Sequence, residues 1–134
     1  MAARLNDATR RFLEHPYVGI LATVSPRRRP QATPVWFLLE NGYILINTSK
    51  GRVKLRNVEA HPYVTLTVVD PSDMYRYVQI QGKVARFDAA NGARDIDRLS
   101  QRYRGKPYTY PPTDAPANRV SILIEPLTVQ AWLD

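Results

Sequence analysis

Apolar and polar positions along the chain either alternate or recur every third and fourth residue, and proline and glycine punctuate the runs. Near the start, Leu5, Ala8 and Phe12 share one helical face, with Asn6 or Asp7 placed to cap the helix and Pro16 to end it. YVGILATV (17–24) reads as a strand, SPRRRP as a loop or wide turn, and QATPVWFLLE (31–40) as extended chain again. Pro34 within that run predicts an edge, a bulge or an interrupted ladder, because proline has no amide to give a neighbour. Asn41-Gly42 between two apolar runs is the strongest short hairpin signal, so YILINT (43–48) is the return strand. GRVKLRNVEA (51–60) is compatible with helix and closes at His61-Pro62, before the strand YVTLTVVD (63–70). After a loop around Pro71 to Met74, YRYVQIQGKVARF (75–87) alternates about Gly82 as one long strand. AANGARDIDRLSQRYRG (89–105) predicts a further helix, with Ile96, Leu99 and Tyr103 on one side and Arg94, Arg98 and Arg102 on the other. KPYTYPPTDAPAN (106–118) is too rich in proline to be regular, and RVSILIEPLTVQAWLD (119–134) is a last strand, bent or bulged at Pro126.

About six strands with two or three short helices make a mainly β chain with short α elements. Hairpins and short connections imply antiparallel pairing, and a six-stranded antiparallel barrel is the most economical closure, with a sandwich as the competing architecture. A length of 134 residues suits a single domain covering 1–134. The composition, 44% hydrophobic and 23% charged, is that of a soluble protein, and no apolar run approaches the roughly 18 residues of a membrane span. The N-terminal segment lacks the apolar core of a secretory signal and there is no cysteine, so the cytoplasm is the expected compartment and no membrane partner is expected.

A formal charge of +7 implies an anionic partner. Nucleic acid is not the expected one, because the cations form no continuous stripe with interleaved aromatics and no reading motif is present. They fall instead into Arg27 to Arg29, a cluster of Lys50, Arg52, Lys54 and Arg56, and a scattered set on the later helix. The second group lies in TSKGRVKLRN (48–57), directly after a predicted buried strand. If Arg52 begins a helix, the unpaired amides of its first turn face the same space as Ser49, Lys50 and Lys54. Cations there oppose the helix dipole unless an anion is bound, which favours a phosphate site over a merely solvated face. Each charge-assisted contact is worth about 1.5–3 kcal/mol. HPYV occurs twice, at 15–18 and 61–64, and reads as proline stopping a helix before a strand rather than as paired metal half-sites. No nucleophile elbow, Walker loop or dinucleotide fingerprint is present, and Asp95 and Asp97 read as solvated. No side chain is expected to be catalytic in its own right, so an enzyme here would rely on a cofactor.

The order G-x-L-A-T, then R-P-x-x-x-P-V-W-F, then T-x-x-x-R-x-K-x-R-N, followed by YVQIQGKVARF, resembles the pyridoxamine 5'-phosphate oxidase-like split-barrel superfamily of flavin and deazaflavin oxidoreductases, and within it the branch using the deazaflavin coenzyme F420. The resemblance runs from about residue 17 to 88 and resumes in the last strand. It implies a homodimer with the cofactor in a groove between protomers, its phosphate held by the turn of Ser49, Lys50, Arg52 and Lys54. The ring would lie along Gln31, Ala32, Thr33, Pro34, Val35 and Trp36, with Ile46, Asn47 and Thr48 beside it. Asn57 would shape the phosphate turn, and the facing protomer would contribute from Gln79, Gln81 or near Trp132. The implied chemistry is hydride transfer between the deazaflavin and an unsaturated small-molecule substrate such as an enone, quinone or tetrapyrrole-like acceptor. Tyr75, Tyr77 and Tyr108 are candidate proton donors, and packing is the plainer reading of each.

F420 carries a phosphodiester and an oligoglutamate tail, so the surplus of positive charge favours it, with FMN second. The alternatives are an FMN-binding pyridoxamine 5'-phosphate oxidase-like protein and, in another class, a non-catalytic cofactor carrier or a basic barrel that binds nucleic acid. The substrate pocket is expected from the loops Pro71 to Met74 and Lys106 to Asn118.

Overall fold

The strand pattern condenses into one antiparallel sheet in the computed structural model, which describes residues 4–134. The elements are α1 (Asp7–Leu13), β1 (Gly19–Val24), β2 (Pro30–Val35), β3 (Leu38–Glu40), β4 (Tyr43–Ser49), α2 (Val53–Ala60), β5 (Tyr63–Asp70), β6 (Asp73–Asp88), α3 (Gly92–Arg104), a 3-10 turn (Pro116–Asn118) and β7 (Arg119–Trp132). The sheet order is β2-β1-β5-β6-β7-β4-β3. It has seven strands rather than the expected six, because the run 31–40 is divided. Its pairing with β1 ends at Val35 opposite Gly19, Trp36 and Phe37 are unpaired, and Leu38 begins a new ladder opposite Leu45.

That division shapes the molecule. β2 and β3 are the two outer strands, yet three peptide units join Val35 to Leu38, a reach of about 11 Å at most. The sheet must therefore curl until its edges approach. The ladder is not closed between them, so the expected barrel is corrected to an open, curled sheet of seven strands. Pro34 sits on an edge strand with one neighbour, where its missing amide costs no interior bond. Asn41 and Gly42 both take positive φ, 52° and 82°, as a tight two-residue hairpin requires. The loop expected at Pro71 to Met74 is a tight turn, since β6 already begins at Asp73.

Alternation then sorts the side chains. Inside the curl lie Ile44 and Ile46, Leu66 and Val68, Val78 and Ile80, and Ile122 and Ile124, closed by Phe37. On the outside, α3 covers β4 and β7, burying Ile96 and Leu99 against Leu45. The approach is close enough that a Cβ on Gly92 would lie 2.0 Å from the Arg119 carbonyl oxygen. Asp95, expected to be solvated, is 1% exposed. It is held by Arg94 and Arg98 and accepts from the Ser121 hydroxyl at 2.6 Å, because Ser121 points outward from β7 beneath the first turn of α3. Arg102, expected on the side of α3 opposite Ile96, Leu99 and Tyr103, is half-buried and donates to the carbonyls of Leu13, Glu14, His15 and Phe37 at 2.8–2.9 Å. It thereby fastens the end of α1 to α3. Asn6 caps α1 by accepting from the Thr9 amide, and the buried face is Thr9, Phe12 and Leu13, while Ala8 is exposed.

Candidate functional site

The site grows from the outward-facing residues of two paired strands. Ser49 at the end of β4 stands opposite Arg119 at the start of β7, and Asn47 is two residues back on the same face. Arg119 donates to Asn47 Oδ1 at 2.9 Å, Ser49 Oγ at 2.6 Å and Asp114 Oδ2 at 2.8 Å. Both members of the Arg119–Asp114 pair are nearly buried. Burial works against the charge on Asp114, but hydrogen bonds from Arg119, the Ala115 amide and Ser49 outweigh it and hold the carboxyl below its ordinary value. The Arg119 guanidinium also lies 5.3 Å from the centre of the Tyr108 ring.

The chain leaves β4 through Gly51, whose φ of 89° suits glycine, and enters α2 at Arg52. No side chain caps this helix and no acid lies in its first turn. Lys54, one residue inside, is 8% exposed, and among the described residues its side chain has no hydrogen-bond acceptor and no carboxylate within 4 Å. Burial lowers its pKa, and the nearby positive charges of Arg52 and Arg119 lower it further. An ammonium that opens on the cavity from an otherwise buried side chain, near two guanidinium groups and the helix start, is an unbalanced arrangement that an anion would balance.

These groups open on a cavity of about 420 Å³. One wall is Val18 with Pro34 and Val35 at the end of β2 and Trp36 just beyond it, and the floor is the end of β4. The far side is Ile96, Leu99 and Arg104 of α3 with Tyr108 and Thr109 of the following loop. Trp36 stacks on Tyr103 at 5.4 Å and 12°, and Tyr108 meets it edge-on at 6.5 Å and 89°. Among the described residues, four cations and no carboxylate line the space.

The family profile described as pyridoxamine 5'-phosphate oxidase matches residues 5–133. The chain belongs to the pyridoxamine 5'-phosphate oxidase family. A solved structure named F420 reductase is 32% identical, with a TM-score of 0.84 over 94% of this chain and 98% of that one. At lower identity the likeness is one of fold. A conserved hypothetical protein from Mycobacterium tuberculosis is 24% identical over 98% of this chain and 86% of its own, with a TM-score of 0.74. General Stress Protein 26 from Bacillus anthracis is 19% identical over 93% and 91%, with a TM-score of 0.69. No curated protein matches the chain. The chain is thus a member of an oxidoreductase superfamily, and among the described residues no helix is long and apolar enough to cross a membrane.

Placed on this family's fold, some of the residues named from sequence border the cavity and others lie away from it. Pro34, Val35 and Trp36 border the cavity, as do Asn47, Thr48 and Ser49, and Arg52 and Lys54. Gln31, Ala32 and Thr33 lie farther along β2, and the buried Thr33 hydroxyl has no partner. Ile46 points into the core at 0% exposure, since alternate residues of β4 face opposite ways. Lys50 is exposed on the turn, its amide bonded to the Asn118 carbonyl. Asn57 is buried and donates to the Thr23 hydroxyl at 3.0 Å, tying α2 to β1. Gln79 lies on β6 opposite Thr67 and Gln130, and Trp132 is 60% exposed opposite Tyr77; neither borders the cavity. Of the tyrosines considered as donors, Tyr108 borders it and Tyr75 is 84% exposed elsewhere. Of the two loops expected around a substrate, only the second reaches it, through Tyr108 and Thr109. Arg119, Asp114 and Arg104 were not singled out from sequence as members of this constellation. The one trace of Arg119 is a cation opening a strand directly after the proline-rich loop.

Proposed function

We propose that the protein is an F420-dependent oxidoreductase that transfers a hydride between the deazaflavin and an unsaturated small-molecule acceptor. The observation that carries this reading is Lys54, nearly buried, without a carboxylate, beside Arg52 and Arg119 at an uncapped helix start that opens on the cavity. Such a donor set fits a phosphodiester or phosphate, so either a deazaflavin or a flavin suits it, and the 32% identical F420 reductase favours the first. FMN remains the second reading, favoured by the family's own name.

Bound there, the cofactor supplies the carbon centre that gives or accepts the hydride. Arg52, Lys54 and the first amides of α2 would hold its anionic group. Arg119 stays fixed by Asp114, Ser49 and Asn47, and so sets the position of the turn preceding α2. β2 has a neighbour on one side only, which leaves outward backbone groups for polar atoms of a ring. Trp36, Ile96 and Leu99 exclude water from that end. A homodimer is part of the reading. It is supported by two unpartnered sheet edges and by large side chains left in water near the adjoining ends of β6 and β7, with Met74 77%, Tyr75 84% and Trp132 60% exposed.

Fluorescence titration with F420 and with FMN tests the site. Saturable F420 binding at micromolar levels that is lost in Arg52→Ala/Lys54→Ala supports it, and indifference to both cofactors overturns it. Acceptor-dependent oxidation of reduced F420 across a panel of enones and quinones then separates an enzyme from a carrier. Steep salt-dependent binding to DNA without cofactor binding would favour the basic barrel.

A further inference from the structure

α3 carries four arginines, at 94, 98, 102 and 104. Three are engaged: Arg94 with Asp95, Arg98 with Asp95 and Glu40, and Arg102 with four carbonyls. Arg104 alone has no carboxylate within 4 Å and no hydrogen bond from its side chain among the described residues. Its backbone is nonetheless fixed, because α3 stops at the next residue, Gly105, in the left-handed region at φ 70°, with the Gly105 amide bonded to the Ser100 and Gln101 carbonyls. Its guanidinium lies 5.1 Å from the centre of the Trp36 ring, at the cavity wall.

The cations follow one another along the cavity. Arg52 and Arg119 bear on Lys54, Arg119 covers Tyr108, Tyr108 meets Trp36 edge-on, and Trp36 lies under Arg104. One end of this row suits the cofactor's anionic group. At the other stands a right-angled aromatic corner, with Tyr103 stacked on Trp36 and the Arg104 guanidinium lying over that ring, its N–H groups without an acceptor among the described residues. A flat apolar body can take the place of the exposed Arg104 guanidinium over Trp36, and the displaced guanidinium can pair with that body's carboxylate through two parallel hydrogen bonds. No carboxylate on the cavity wall repels such a molecule.

We propose that this corner is a substrate subsite selecting planar, conjugated carboxylic acids, with Arg104 as the specificity-determining residue. As an assignment of substrate class it rests on the hydride-transfer reading, but the subsite itself is measurable without cofactor. Trp36 and Trp132 are the only tryptophans, so Trp132→Phe leaves Trp36 as the sole indole reporter. In that background trans-cinnamate should quench Trp36 with an affinity at least ten-fold above that of methyl cinnamate. Arg104→Gln should remove the difference while leaving F420 affinity and thermal midpoint unchanged. Equal affinity for acid and ester, no response of Trp36 to either, or an acid preference that survives Arg104→Gln and disappears in Lys54→Met would each overturn the subsite. Failure of F420 to bind while the Arg104-dependent preference persists would defeat the cofactor reading alone.

Discussion

Removing the Asp114 carboxylate should cost far more than removing a surface acid. Asp114 and Arg119 are each less than a tenth exposed, 2.8 Å apart, and Arg119 lies close enough to Lys54 to depress its pKa. In Asp114→Ala the guanidinium keeps its hydrogen bonds to Ser49 and Asn47 but loses its only counter-charge, leaving three cations at one end of a cavity without a carboxylate on its walls. Breaking a nearly buried pair from one side costs about 3–5 kcal/mol, and the lower figure fits a pair that borders an open space. For a chain of this length about 3 kcal/mol lowers Tm by about 10 °C. Because the deficit is one of negative charge, inorganic phosphate should restore more stability to Asp114→Ala than it adds to the wild type. The double variant Arg119→Met/Asp114→Leu should lose less than Asp114→Ala and should not respond to phosphate in that way. Urea unfolding of the three proteins with and without 50 mM phosphate provides the readout. A loss under about 1 kcal/mol in Asp114→Ala, or equal phosphate effects in all three, would refute the account of this site as a cation cluster held by one internal carboxylate.

Lys54 supplies a pH signature. Its folded pKa lies below the ordinary lysine value of 10.5, so between the two values the unfolded chain binds more protons and stability from this group rises with pH. Wild type should therefore gain on Lys54→Met as pH rises through that window, and phosphate affinity should fall over the same range; parallel curves for the two proteins would remove Lys54 from the site. Arg102→Ala should cost about 2–4 kcal/mol by urea unfolding, since four carbonyls lose a charged donor, and Arg102→Lys should recover only part because one ammonium cannot reproduce the guanidinium's planar fork. Gly92→Ala should cost at least about 3 kcal/mol, because the new methyl meets backbone at 2.0 Å; a Tm within 2 °C of wild type would mean that α3 can lift off β7 easily.

What was legible in the sequence is what is local. The Asn41-Gly42 hairpin, the period of α3 and the irregularity at Pro126, which pairs out of step with Gly82, each depend on a few adjacent residues. So does the basic turn at the cavity, whose Ser49, Arg52 and Lys54 lie within six residues. The rest depends on register. Arg119 is seventy residues from Ser49 and becomes its neighbour only because β4 pairs with β7, while Asp95 is buried only because β7 sets Ser121 beneath it. The seventh strand escaped because Val35 to Leu38 reads as continuous apolar chain, and nothing local marks two residues that leave one sheet edge for the other. That same crossing puts Trp36 at the cavity, so the feature that was hardest to read also builds the aromatic wall. The two kinds of residue divide the labour. On the readings proposed above, the local turn serves a general anion, whereas Trp36, brought together with Arg104 and Tyr108 from a second, distant segment, selects the flat molecule beside it. Changes at Arg52 or Lys54 should therefore weaken every ligand carrying a phosphate, and changes at Arg104 or Trp36 should alter the ranking of acceptors while leaving phosphate binding as it was.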